Sequence, residues 1–225
     1  MTANFDRIAR AYRWLEYLSF GLVLERCRFY QLDRDDASIR DRRDALVIGD
    51  GDGRFLARLL RQNPQIRAEA VDLSPAMLCL LAERAAAENA SDRLTVRCED
   101  AREFSPSGKY DLVATHFFLD CLTTEEVLAL AKRIVLHLVP GAVWIVSDFA
   151  IPRGVAALPA RAIVSSLYAA FRLLTGLQVS KIPRHDEALK QAGFSLADRH
   201  EWLGGMLFSE LWRAEATDQP QLKSH

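Results

Sequence analysis

Gly49-Asp50-Gly51-Asp52-Gly53 places glycines at alternate positions with a carboxylate between each pair. Glycine lets a backbone approach a bound molecule closely and take dihedrals closed to other residues. Between a strand and a helix such a turn reads as a ligand cradle, its alternative being a tight turn that holds nothing. About 20 residues further on stands Asp72, where a carboxylate can accept hydrogen bonds from both hydroxyls of a ribose. Its other reading is a cap for the helix opening at Pro75, a task Ser74 fills as well. The spacing is GxGxG rather than the GxGxxG of a pyrophosphate site. Asp50 and Asp52 would moreover repel a diphosphate while tolerating a cationic sulfonium ligand that carries an amino group. A nicotinamide dinucleotide is thereby disfavoured.

Further along, Asp100 in Cys98-Glu99-Asp100-Ala101 either accepts from an adenine amino group, with apolar neighbours against the ring, or caps a short helix. Thr115-His116-Phe117-Phe118-Leu119-Asp120 sets two titratable groups beside aromatics. His116 is the first candidate for a general base, because histidine titrates near neutral pH. Its alternative is a strand-end histidine bonded locally. Asp120 and Asp148 either orient an acceptor or are simply solvated. His137 lies late in a helix and His185 near the start of one, and neither is given a catalytic role.

Positioning these groups requires a succession of elements. Phe5, Ile8, Tyr12, Leu15 and Leu22 recur at helical spacing behind Asn4, which predicts an amphipathic leading helix to about Tyr30. Residues 33 to 44, dense in Asp and Arg, read as a solvated connection. The apolar run 45 to 48 enters the glycine turn, and Phe55, Leu56, Leu59 and Leu60 then repeat with helical period. The pattern recurs as strand 68 to 71 and helix 75 to 88, strand 94 to 98, then strand 110 to 116 and helix 124 to 137. Pro140-Gly141 ends that helix and launches a fifth strand, 142 to 147. Residues 195 to 203 and 207 to 214, joined at Gly204-Gly205, form a closing hairpin. A βαβ series of this kind predicts an α/β fold with a mostly parallel sheet covered by helices on both faces. The division is an N-terminal helical segment over 1–43, a Rossmann-like domain over 44–217 interrupted by a helical cap at 151–184, and a flexible tail at 218–225.

Among 225 residues, 29 basic and 30 acidic side chains leave a formal charge of -1, so no global attraction to nucleic acid or to an anionic membrane follows. Cys27, Cys79, Cys98 and Cys121 are widely spaced without a CxxC pair. That disfavours a zinc or dithiol site and reads as four reduced, mostly buried thiols in a cytoplasmic protein; no metal is expected. Asp6, Arg7 and Arg10 break up the first ten residues, which lack the apolar core of a secretory signal. No apolar run approaches the roughly 18 residues needed to span a bilayer.

Taken as an ordered set, the glycine turn, Val71-Asp72-Leu73-Ser74-Pro75, Glu99-Asp100-Ala101, Tyr110-Asp111-Leu112-Val113 and Leu138-Val139-Pro140-Gly141 resemble the class I S-adenosylmethionine-dependent methyltransferases. The resemblance spans roughly residues 44 to 148. It implies a seven-stranded Rossmann-like sheet with the last strand antiparallel, and S-adenosylmethionine as cofactor. The cofactor-binding residues it implies are Gly49, Asp50, Gly51, Gly53, Asp72, Leu73, Asp100, Ala101 and His116. Phe5-Asp6-x-x-Ala9-x-x-Tyr12 is similar to the leading helix of the quinone-biosynthesis-type small-molecule branch, which implies that Tyr12 leans over the cofactor. One departure is plain. The family commonly has an acid two positions before the first glycine, and Val47 stands there, so that Asp50 or a backbone carbonyl takes over the contact to the cofactor's amino group.

Methyl transfer is an in-line displacement at a carbon activated by positive sulfur, so alignment and exclusion of water dominate and no metal is required. Within residues 151–184, Ile163, Leu167, Ala170 and Leu174 share one helical face, and Arg161, Ser165, Tyr168 and Arg172 another. Arg153, Arg161, Arg172, Lys181 and Arg184 are the only charged residues of that stretch. They suit either an anionic or lipid-like acceptor, with peripheral membrane contact left open, or a core-packed helix with snorkelling arginines. The leading expectation is methyl transfer to a small-molecule acceptor. The alternatives are a methyltransferase-like binding or scaffold protein without turnover and, further behind, an NAD-dependent oxidoreductase. No Asn/Asp-Pro-Pro-Tyr-type sequence follows the fourth strand and no extended basic surface is evident, so nucleic acid is not the expected substrate.

Overall fold

The computed structural model describes residues 22–34, 37–151 and 182–215. Tyr12 and most of the leading segment, the cap sequence from 152 to 181, and the tail lie outside the described residues. Helix α1 spans Leu22–Asp33 and a single helical turn, α2, spans Ala37–Arg40. There follow β1 (Asp44–Ile48), α3 (Arg54–Gln62), β2 (Arg67–Asp72), α4 (Pro75–Ala87), β3 (Leu94–Cys98) and β4 (Tyr110–His116). Then come α5 (Thr124–Val135), β5 (Leu138–Phe149), α6 (His185–Gln191), β6 (Phe194–Trp202) and β7 (Leu207–Ala214).

The seven strands form one sheet in the order β3-β2-β1-β4-β5-β7-β6. β7 pairs antiparallel with both β5 and β6, and every other pairing is parallel, as expected for a Rossmann-like sheet with its last strand reversed. Because β1 lies between β2 and β4, the chain leaves β1 in one direction and returns on its other side, which opens a crevice at the carboxyl ends of β1 and β4.

Alternation along β1 builds two cores. Leu46 and Ile48 face a cluster containing Phe104, Trp144, Phe208, Trp212 and the buried side of α5. Ala45 and Val47 face the other, with Phe55, Leu56, Leu59 and Leu60 of α3 and Leu81 of α4. A strand buried on both faces is apolar throughout, which is why residues 45 to 48 read as an uninterrupted run. Local signals set the helix starts. Ser74 Oγ accepts from Met77 N at 3.3 Å with Pro75 opening α4, and Thr123 and Glu126 form a reciprocal capping box ahead of α5.

Three expectations are corrected. The connection after α1 is anchored rather than solvated: Ile39 is buried, and Asn63 Nδ2 donates to the carbonyls of Arg40 and Arg42 at 2.9 and 2.8 Å. Pro140-Gly141 lies inside β5, at an irregularity where pairing with β4 jumps from Tyr110↔Leu138 to Leu112↔Val143; a bulge tolerates a residue without an N–H. The cysteines are free but not mostly buried, since Cys79 and Cys98 are exposed, Cys121 is half-buried and Cys27 alone is in the core.

Candidate active site

The three glycines of the turn all have positive φ, at 68°, 59° and 78°, and each answers a different steric demand. A Cβ on Gly49 would collide with the ring of Phe118, and one on Gly53 would lie 2.7 Å from Leu81 Cα, where α4 crosses the start of α3. Around Gly51 a Cβ would meet nothing within 4 Å. Packing therefore requires the outer two glycines. The middle one borders open space, where its backbone is bare to an approaching molecule.

Neither acid of the turn projects as a free charge. Asp52 is held by Arg54 Nε at 3.0 Å and by Arg84 Nη2 at 2.7 Å, and Arg54 also reaches Glu25 of α1. Asp50 is buried, and its Oδ2 accepts from Leu56 N at 2.9 Å in the first turn of α3. Burial pushes the Asp50 carboxyl up to about 7 against the pull of Arg28 and of the Leu56 and Phe55 N–H groups. The expected repulsion of a diphosphate by two carboxylates thus loses its basis, and the glycine spacing alone carries the distinction between nucleotide classes.

At the end of β2, half-buried Asp72 accepts from Ser74 N through Oδ1 at 2.9 Å, while Leu73 beside it is half-buried. Ser74 caps α4, so Asp72 is not needed for that task. After β3, Asp100 is committed to Arg102, which donates its backbone N–H and two guanidinium nitrogens. These bonds hold the Asp100 carboxyl below the usual range. No helix follows Asp100, so within the chain its carboxyl closes a turn with Arg102 rather than capping a helix, and an adenine amino group would compete with Arg102 for it. Ala101 is buried and its carbonyl accepts from Arg133 at 2.9 Å.

His116 ends β4 opposite Ser147, and the two face α1, where Ser147 Oγ donates to the Cys27 carbonyl at 3.2 Å. The imidazole is 2 % exposed, packs on Phe55 at 4.2 Å between centroids, and has no hydrogen-bond partner at either nitrogen among the described residues. Burial, aided by the charge of Arg28, lowers its pKa well below the ordinary histidine value. Titration near neutrality, the reason for selecting His116 from sequence, does not survive in the fold. Arg28 itself, buried on α1 with its guanidinium 5.4 Å over the Phe117 ring, drew no notice in the sequence.

Asp120 and Asp148 lie on the opposite face of the sheet and are buried rather than solvated. Asp148 Oδ2 accepts from Asp120 N at 3.1 Å and Oδ1 from Phe149 N at 2.8 Å, and burial together with the neighbouring Asp120 raises the Asp148 carboxyl well above its ordinary value. Two carboxyls this close cannot both ionise cheaply. Cys121 Sγ donates to Asp120 Oδ1 at 3.5 Å, and its thiol is pushed up by burial and then by Asp120, Asp148 and Asp72. The same thiol thus senses both the carboxylate at the end of β2 and the acid pair beyond β4 and β5. Among the described residues no group of three or more His, Cys, Asp or Glu is arranged to hold a metal ion, and no helix is long and apolar enough to cross a membrane.

Solved structures of similar architecture include methyltransferases. An O-methyltransferase family protein from Burkholderia thailandensis aligns with TM-score 0.68 at 17% identity over 94% of this chain and 63% of that one. A putative O-methyltransferase from Nostoc punctiforme gives 0.71 at 21% identity over 93% and 59%. The N-methyltransferase NodS from Bradyrhizobium japonicum gives 0.59 at 16% identity over 86% and 97%. The chain spans about three fifths of the length of the two O-methyltransferase structures. A comparison with curated proteins gives no match. The architecture is the Rossmann-like fold of the class I S-adenosylmethionine-dependent methyltransferases. Within it, residues 46–144 match the family described as a methyltransferase domain.

Proposed function

We propose that this protein transfers the methyl group of S-adenosylmethionine to a small-molecule acceptor. The observation that carries the proposal is the turn at the β1–β4 crevice, where Gly51 offers open backbone while Asp72 stands half-buried at the end of the next strand. In this reading the turn, Gly49 to Gly53, supports the aminoalkyl chain of the cofactor. Asp72 accepts from the ribose hydroxyls, Leu73 and Ala101 border the adenine, Asp100 exchanges part of its bonding to Arg102 for the adenine amino group, and Tyr12 covers the site from the leading segment. When bound, the cofactor supplies a methyl carbon made electrophilic by positive sulfur. The protein contributes alignment and a dry site.

On the acceptor side the acid pair is the better placed proton sink. A hydroxyl or amine would donate to the ionised member of Asp120 and Asp148, and His116, neutral and buried, would assist only from the far face of the sheet. O- and N-methyltransferases among the similar structures support an oxygen or nitrogen acceptor. Isothermal titration with S-adenosylmethionine and S-adenosylhomocysteine tests the proposal: saturable binding is expected, and none at high micromolar concentration refutes it. The depressed basicity of His116 favours one second reading, a cofactor-binding protein without turnover. Binding together with no methyl transfer across a broad acceptor panel would establish it. Nicotinamide cofactor binding in the same titration would instead revive the oxidoreductase.

A further inference from the structure

We infer that His185 is a specificity residue for the acceptor: its Nδ1, left open by the bond that Nε2 makes to Glu210, accepts a hydrogen bond from a second donor on the molecule to be methylated. The acceptor class this defines is a small molecule with two O–H or N–H groups, one for the acid pair of Asp120 and Asp148 and one for His185. The inference rests on the transferase reading above and names its acceptor.

The position of the imidazole follows from its neighbours. It stacks on Phe208 with 4.8 Å between ring centroids and 7° between planes. Phe208 is the register partner of Asp148, so both side chains leave the same face of the sheet near the carboxyl end of β5. Opposite residues of an antiparallel pair stand about 5 Å apart, which puts the imidazole one strand across from the acid pair. Arg184 N donates to Thr124 Oγ1 at 3.1 Å and ties the start of α6 to the start of α5, just beyond the turn that carries Asp120.

Its orientation follows from Glu210, which pairs with Val146, two residues further from the end of β5 than Asp148. Nε2 lies 3.0 Å from Glu210 Oε2 and so turns towards the interior, with Nδ1 directed away from Glu210. Glu210 is fully buried and also accepts from Trp212 Nε1 at 2.8 Å and from the guanidinium of Arg199. An ionised carboxylate can only accept, so this bond places the proton of a neutral imidazole on Nε2 and leaves Nδ1 a bare lone pair. Nδ1 has no partner among the described residues and, unlike the sealed nitrogens of His116, belongs to a side chain that is 10% exposed.

A polar atom fixed by a second layer of bonds and open on one side is how pockets orient a ligand. A site built to take a hydrogen bond rejects analogues that lack the donor, because its own group is then left unanswered. The acid pair can take a proton from one group of the acceptor. His185 adds the demand for another.

The test uses the protein saturated with S-adenosylhomocysteine at pH 8, with catechol set against phenol and ortho-aminophenol against aniline. In each pair the two-donor probe should bind about 5- to 10-fold tighter. Its binding should also move the Nδ1 resonance of His185 in protein isotope-labelled at the histidine nitrogens. His185→Phe, which keeps a ring on Phe208, should bring each pair to within about 2-fold by weakening the two-donor probe alone. The histidine resonances of the unaltered protein supply an arm that needs no variant to fold: a proton on Nε2 and none on Nδ1 is expected. A proton on Nδ1, equal binding within each pair, a preference that survives in folded His185→Phe, or no binding by any probe overturns the inference. Failure of S-adenosylhomocysteine itself to bind would instead remove the donor-site reading on which it rests.

Discussion

Phe118 lays its ring against the backbone of Gly49 so closely that a Cβ at position 49 would stand 2.2 Å from Phe118 Cδ2. The first residue of the glycine turn is therefore packed against the residues that follow β4, which ties the carboxyl ends of β1 and β4 together at the crevice. Gly49→Ala must relieve both a positive φ and that overlap, at a cost of about 2 to 5 kcal/mol. Gly51→Ala meets only the backbone cost, about 1 to 2 kcal/mol, because nothing lies near its Cβ. Urea unfolding of the two variants should separate them in that order. Gly51→Ala should also weaken S-adenosylhomocysteine more than its small loss of stability would suggest. Equal destabilisation by the two changes would contradict the packing described.

Asp72 offers the complementary case, a residue whose removal should cost binding rather than folding. Its Oδ1 accepts one N–H, from Ser74, and the helix behind it keeps its own Ser74 cap. Hydrogen bonds to a charged acceptor contribute about 1.5 to 3 kcal/mol, so Asp72→Ala should weaken S-adenosylhomocysteine about 10- to 100-fold, with Asp72→Asn in between. The melting temperature should hardly move. Unchanged affinity in a folded Asp72→Ala protein would remove the ribose role.

The buried carboxyl of Asp50 has a pH signature of its own. Its folded value, about 7, lies above the ordinary 3.8, so the folded state holds the proton more tightly than the unfolded chain. The resulting stability is fully present below about pH 4 and is lost as the pH rises through 7, by up to about 1.4 kcal/mol per pH unit. Asp50→Asn keeps an acceptor for Leu56 N and has no proton to lose. Relative to the unaltered protein it should become progressively more stable from pH 4 to pH 7, by a few kcal/mol in all. The raised carboxyl of Asp148 is common to both proteins and cancels. A pH-independent difference in denaturant midpoints would mean that Asp50 is ionised throughout.

The sheet was legible because its central strands are buried on both faces and therefore apolar in sequence, and because glycines mark where β1 ends. Asp72 and the acid pair were legible as residues at strand ends. Their surroundings were not. Arg28 sits in a helix with Glu25 and Arg26, a composition that reads as a solvated face, and only docking of α1 on β5 and β7, seen in the Cys27 Sγ–Phe208 carbonyl bond of 3.0 Å, buries it. Likewise the acidity of the turn says nothing of Arg84, which arrives from another helix to neutralise Asp52. Asn63 fixes the connection before β1 from a distant position in sequence, against the polar composition of residues 33 to 44. Charge in sequence is local, whereas its neutralisation is tertiary.

Glu210 is the sharpest instance, a fully buried carboxylate in the middle of β7. Burial alone pushes its pKa up, but the hydrogen bond and charge of His185, the charge of Arg199 and the indole N–H of Trp212 together hold it below the usual range. Removing the permanent cation leaves that carboxylate poorly compensated, so Arg199→Met should cost about 3 kcal/mol at pH 7. With a lowered folded value, Glu210 contributes stability above its unfolded pKa and loses it as the pH falls. The penalty of Arg199→Met should accordingly be largest above pH 6 and shrink towards pH 4, where protonated Glu210 needs no cation. Adding Glu210→Gln to Arg199→Met should recover more than half of the loss at pH 7. A penalty unchanged between pH 7 and pH 4 would show that Arg199 stabilises β6 by packing on Phe208, 4.7 Å from its guanidinium, rather than by answering Glu210.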